Sequence, residues 1–198
     1  MFDTTINPDG QHTGLAQRPK RADARRNYEK ILRAAGDAFN EHGTAASLED
    51  IARRAGVGIG TLYRHFPTRQ ALLEATYIDE VEEMSAKASQ LGDLEPWDAL
   101  VTWLRSFVRF AATKRALSDE MLNTMDAEAE VFVACRAAIS EAGDLLLQRA
   151  QASGDVRQDT NISDVARMVS GIASIRAADP GQIDRILEMA LDGLRAQR

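Results

Sequence analysis

The stretch that leaves this chain the fewest folds is Leu48-Glu-Asp-Ile-Ala-Arg-Arg-Ala-Gly-Val-Gly-Ile-Gly-Thr-Leu-Tyr-Arg-His-Phe66. Ser47 followed by Asp50 opens it like a capping box, with an acid in the first turn. Ile51, Ala52 and Ala55 give a short helix that Gly56 ends. Two short helices meeting at a corner need a small side chain where they cross, a tight turn, and an apolar residue to seal the angle. Ala52, Gly56 and Val57 supply these in order, so the string predicts a helix-turn-helix. The second helix, Gly58 to His65, has one buried anchor, Leu62, and presents Ile59, Gly60, Thr61, Tyr63 and Arg64. Such groups can meet thymine methyls, phosphates and base edges. Pro67 breaks this helix and Thr68 can cap the next.

Charge separates this region from the remainder. Arg18 to Gln70 holds eleven basic and six acidic residues, a net +5, whereas Ala71 to Arg198 holds thirteen and twenty-two, a net −9. A basic head on an acidic body suits a head that meets a polyanion. Chance clustering on a solvated surface is the plainer alternative, and charge alone does not choose between them.

Helical periodicity runs through almost all of the chain after residue 24. Tyr28, Ile31, Leu32, Ala35 and Phe39 form a first stripe closed by Gly43. Leu73, Tyr77, Val81, Met84, Ala88 and Leu91 form a long one that stops at Gly92. After Pro96, residues Trp97, Leu100, Leu104, Phe107, Val108 and Ala111 share a face that Trp103 and Phe110 widen, as in a buried central helix. Ser118 to Met125 reads as a short connecting helix, Ala127 to Ala152 as a long one, and Ile162 to Arg176 and Pro180 to Leu194 as the last two. Period-two alternation is missing, so the expected fold is all-α. It has about nine helices: a three-helix N-terminal head with a larger C-terminal helical bundle behind it. The expected organisation is a disordered basic arm over 1–24, a helix-turn-helix domain over 25–70 and a second domain over 71–198.

Several function classes are disfavoured. Cys135 is the single cysteine, and His12, His42 and His65 lie far apart, so no metal site and no cofactor is expected. No run approaches the roughly 20 apolar residues of a membrane span, and Met1 to Ala24 has no apolar core like that of a secretory signal. A cytoplasmic protein is the expectation. No nucleophile–base pair or phosphate loop stands out, so no enzyme is expected and no catalytic residue is named.

The stretch Ala55-Gly-Val-Gly-Ile-Gly-Thr-Leu-Tyr-Arg-His-Phe-Pro-Thr-Arg-Gln-Ala-Leu-Leu73 resembles the signature of the TetR family of bacterial transcriptional regulators. The helix before it, with Ile31-Leu-Arg-Ala-Ala, Phe39 and Gly43, is similar as well, so the resemblance covers roughly Tyr28 to Leu73. The C-terminal part resembles the SbtR-like subgroup. The resemblance implies that Thr61 and Tyr63 touch DNA backbone or bases and that His65 faces phosphate. Arg69 stands where the family usually has a phosphate-contacting lysine, and Ser47 can place the first amides of its helix on a phosphate. Gly58, Ile59 and Gly60 depart from the polar residues many relatives carry. Base reading therefore leans on Thr61, Tyr63, Arg64 and methyl contacts; the basic arm with Arg18, Lys20, Arg21, Arg25 and Arg26 either helps in the minor groove or is a solvated linker.

Trp103, Phe107, Phe110, Met121, Met125 and Phe132 lie at helical spacings on successive segments. Aromatic and methionine residues in this pattern commonly mean plain core. The resemblance implies instead that they line an apolar pocket for a small-molecule effector. Ser170, Gly171, Ala173 and Ser174 on the penultimate helix and the Ile183, Ile186, Leu187, Ala190, Leu191 and Leu194 stripe on the last also fit packing within one subunit. The resemblance implies a homodimer paired through these two helices.

The expected function is a ligand-responsive regulator, a repressor released from a palindromic double-stranded DNA operator by an effector. Two alternatives from other classes are a helical protein-interaction module and an all-α enzyme.

Overall fold

A computed structural model of the chain describes residues 22–122, 130–175, 179 and 181–196, without the side chains of residues 44 and 112–122. Eight α-helices occupy them: α1 Ala22–His42, α2 Leu48–Arg54, α3 Ile59–His65, α4 Arg69–Gln90, α5 Pro96–Leu122, α6 Glu130–Ala152, α7 Ile162–Ala173 and α8 Gln182–Asp192. A 3₁₀ turn, Gly43–Ala45, joins α1 to α2. Among the described residues the only β-type pairing is an isolated bridge between Val156 and Arg195.

Among the described residues the eight α-helices and the 3₁₀ turn bear out the expected all-α fold of about nine helices, with some boundaries placed differently. Ser118 was expected to open a separate helix, but α5 runs on to Leu122. Ala111 to Leu122 contains neither glycine nor proline to stop it. The remainder of that expected helix, with Met125, and the expected start of the next at Ala127 lie outside the described residues. The penultimate helix ends at Ala173, after which Ser174 and Ile175 donate to the Gly171 and Ile172 carbonyls at 3.1 Å in tighter turns, and the expected end at Arg176 lies outside the described residues.

The chain divides into two compact units, one within Met1–Glu80 and Ala116–Val131, the other within Val81–Arg115 and Phe132–Arg198, so the division falls inside α4. In the first unit the α1 stripe is buried as the periodicity predicts, at Tyr28, Ile31, Leu32, Ala35 and Phe39, together with Ile51, Ala52, Leu62 and Phe66. The Glu80 side chain of α4 reaches Gly36 of α1, where a β-carbon would stand 2.9 Å from its Oε1.

In the second unit Trp103 is fully buried and donates its indole N–H to the Met84 carbonyl at 3.2 Å. A β-carbon on Gly143 would lie 2.7 Å from both Trp103 Cη2 and Ile162 Cδ1, so α5, α6 and α7 meet at a point that admits only glycine. The Asn161 side chain caps α7 by accepting from the Asp164 amide at 3.0 Å. The C-terminal end is tied down by Arg195, whose guanidinium lies 3.9 Å from the Trp97 ring centre, and by Ala196, which donates to the Asp155 carbonyl at 3.0 Å.

Candidate nucleic-acid interface

The corner between α2 and α3 is built as its composition predicts. The Ser47 hydroxyl accepts from the Asp50 amide at 3.1 Å and caps α2. The Asp50 carboxylate in turn holds Arg53 and, at 2.7 Å, Arg54. Arg54 also bonds Glu41 of α1 at 2.8 Å. These guanidinium hydrogen bonds, Arg54 first, hold the Asp50 carboxyl below its ordinary range. At the C-terminal end Gly56 takes φ +66°, where a side chain would be strained. Gly56 then donates to Arg53 O at 3.1 Å and Val57 to Ala52 O at 3.0 Å, which completes a Schellman turn.

The chain leaves this turn through Gly58 and enters α3, a helix of 7 residues anchored by Leu62, which is fully buried. Ile59 is 38% exposed and Tyr63 45%, a large apolar surface for so short a helix. Gly60 and Arg64 are exposed beside them, and Thr61 and His65 are half-buried. Residues 59, 60, 63 and 64 fall on one face by helical spacing. A β-carbon on Gly58 or Gly60 would meet nothing within 4 Å, so the fold demands glycine at neither place. The exposed face offers a phenol, a guanidinium and an apolar branch, and the half-buried Thr61 adds a hydroxyl off that face. That set suits phosphate contact and base-edge or methyl contact in a groove.

His65 packs between Tyr28 and Phe66, with ring centres 6.1 and 6.3 Å away. Burial lowers its pKa below the ordinary histidine value, which favours the neutral ring. Arg69 opens α4 and is half-buried. Its Nη1 donates to the Ala46 carbonyl at 2.6 Å, and its guanidinium lies 5.4 Å from the centre of the Phe39 ring. The expected cap is present, with the Thr68 hydroxyl accepting from the Ala71 amide at 3.0 Å.

The expected contact residues are thus distributed over three sites: Ile59 to His65 on α3, Ser47 at the start of α2, and Arg69 at the start of α4. Sequence reasoning missed the Arg54 cluster with Glu41 and the Arg69–Ala46 bond. Each joins residues remote in sequence, and no local pattern marks them.

Of the expected pocket residues, Trp103, Phe107, Phe110 and Phe132 are buried in the second unit. Trp103 and Phe107 stack at 5.4 Å and Phe107 and Phe110 at 5.8 Å, a continuous aromatic row. Met121 lies in α5 with its side chain outside the described ones, and Met125 is outside the described residues altogether. Cys135 is buried. Among the described residues no group of three or more His, Cys, Asp or Glu stands ready for a metal ion, and no helix is long and apolar enough to cross a membrane.

A family model described as bacterial regulatory proteins, tetR family, matches residues 31–76, and one described as the C-terminal domain of SbtR-like transcriptional regulators matches residues 95–196. The chain is 38% identical to a TetR transcriptional regulator of known crystal structure from Streptomyces coelicolor, with 86% of this chain and 99% of that one covered and a TM-score of 0.76. The regulator UidR of Escherichia coli K12 is 27% identical over 173 residues, which cover 84% of this chain and 88% of the relative. An HTH-type transcriptional regulator of Staphylococcus aureus is 40% identical over 70 residues, a stretch that makes up 34% of this chain and 37% of that relative.

Proposed function

This chain belongs to the TetR family of bacterial transcriptional regulators, with a DNA-binding N-terminal and a ligand-binding C-terminal domain, and from that premise we propose that it is a repressor that a small-molecule effector releases from a palindromic operator. The observation that carries the reading is the exposed face of α3, where Ile59 and Tyr63 stand open beside Gly60 and Arg64 on a helix that follows the Schellman turn and is anchored by buried Leu62. We assign DNA contact to Ser47, Ile59, Gly60, Thr61, Tyr63, Arg64 and His65. The domain limits proposed are 25–70 for the head and 71–198 for the effector and dimerisation domain, with the basic residues before 25 as an arm along the DNA.

The active unit is a homodimer, paired through α7 and α8. Ile183, Ile186 and Ala190 remain half-buried and Met189 is 66% exposed, an apolar flank that a second copy would cover. Two heads then reach half-sites about 34–36 Å apart. The effector is apolar or aromatic and sits against the Phe107 and Phe110 end of the aromatic row. It works by favouring a dimer whose heads no longer match both half-sites, since a ligand shifts an equilibrium only by its differential affinity for the two states. The proposed compartment is the cytoplasm, and no catalytic step is proposed.

The experiment is selection of bound duplexes from a random pool, followed by titration at several salt concentrations. A two-fold symmetric consensus is expected, with affinity that falls steeply as salt rises because phosphate contacts release counterions. Failure of the pool to enrich, or enrichment for an asymmetric single half-site, overturns the reading.

A further inference from the structure

Arg69, at the start of α4, reaches the corner between α1 and α2. Its Nη1 donates to the carbonyl of Ala46, a residue 23 positions earlier, at 2.6 Å. The acceptor belongs to a tightly determined corner. Gly43 turns the chain with φ +55°, and the Ala46 amide bonds back to the Gly43 carbonyl at 3.3 Å. Ala46 is buried, and the next residue, Ser47, caps α2. The same guanidinium covers the ring of Phe39 in α1, which is fully buried. One side chain therefore touches α1, the approach to α2, and its own helix, whose first turn Thr68 fixes.

We infer that Arg69 is a positioning residue: it fixes the start of α2 to the first turn of α4 and so sets the placement of α2 and α3 for a specific DNA site. This rests on the DNA-binding reading above. The other role for this position is direct phosphate contact, and the two differ in what they control. A charge that meets phosphate strengthens binding to any duplex and adds to the salt slope. A bond that sets the corner geometry strengthens binding only where base contacts must register, and leaves the slope alone.

The test compares wild type, Arg69→Ala and Arg69→Gln on the duplex selected by the wild-type protein and on an unrelated duplex of equal length. Folding is checked by circular dichroism and thermal melting. Arg69→Ala is expected to lose roughly tenfold on the selected duplex, the scale of a hydrogen bond to a charged group. It should lose less than about twofold on the unrelated one, with the same slope of log affinity against log salt. Arg69→Gln lacks the charge but can still donate to the Ala46 carbonyl, so it should recover part of the loss. If Arg69→Ala does not fold, Arg69→Met, which keeps an apolar cover over Phe39, takes its place. A slope reduced by about 0.9 with equal losses on both duplexes overturns the inference in favour of phosphate contact. Equal losses at an unchanged slope, or no loss at all, also overturn it. A wild-type protein that binds neither duplex would instead refute the DNA-binding reading, so the two failures are distinct.

Discussion

The imidazole of His65 in α3 meets the ring of Tyr28 in α1 edge to face, with centres 6.1 Å apart and planes at 72°. Tyr28 also lies 5.0 Å from Phe66, so three aromatic rings join the C-terminal end of α3 to α1. The exposed face of α3 is aimed by this contact, and it carries a titratable group.

That group makes stability depend on pH with a definite sign. Burial lowers the His65 pKa in the folded chain below the ordinary value of 6.5. The unfolded chain therefore takes up the proton first, and the folded state is fully stabilised above that value and loses stability as pH falls below it. Melting between about pH 7.5 and pH 5.5 should show a larger drop in Tm for wild type than for His65→Gln. Parallel curves for the two proteins would show that His65 is not the group responsible.

Gly60 should trade stability against binding. A β-carbon there meets no protein atom, and alanine is the better helix former by up to about 1 kcal/mol. Gly60→Ala is expected to raise the melting temperature and to weaken binding to the selected duplex, because the added methyl stands on the face assigned to DNA. Unchanged affinity in the more stable variant would remove Gly60 from the interface.

Gly143 should behave in the opposite way. Its missing side chain makes room for Trp103 and Ile162, so Gly143→Ala is expected to destabilise the second unit by about 1–3 kcal/mol. Gly171→Ala, inside α7 where a β-carbon meets nothing, serves as the reference in the same denaturation series and should not destabilise.

Met189 tests the pairing of subunits. Light scattering should find wild type as a dimer at micromolar concentration, and Met189→Asp, with an unchanged circular dichroism spectrum, should be shifted towards monomer. Burying a carboxylate in an apolar interface is costly. A Met189→Asp protein that remains as dimeric as wild type would place the interface elsewhere.

Much of the head was legible in the linear text because its determinants are local. Ser47 caps over three residues, Gly56 supplies a left-handed turn, Thr68 caps α4, and the α1 stripe repeats at the helical period. The end of α5 was less legible. Ser118 resembles a helix start, but capping is optional where the backbone already continues in a helix, and nothing between Ala111 and Leu122 forces a break.

The sequence by itself determined the all-α class, the position of the helix-turn-helix and the Leu62 anchor of α3, since each depends on periodicity, turn chemistry and caps that act within a few residues. Only the tertiary structure decided which charges are engaged and which glycines are indispensable. Arg69 and Arg64 are equivalent cations in the text, yet Arg69 is bonded to Ala46 and packed on Phe39, while Arg64 stands exposed. Gly60 and Gly143 are equally bare, yet one faces open space and the other a tryptophan. The difference is long-range packing, which places atoms from distant segments within bonding distance and leaves no trace in local order.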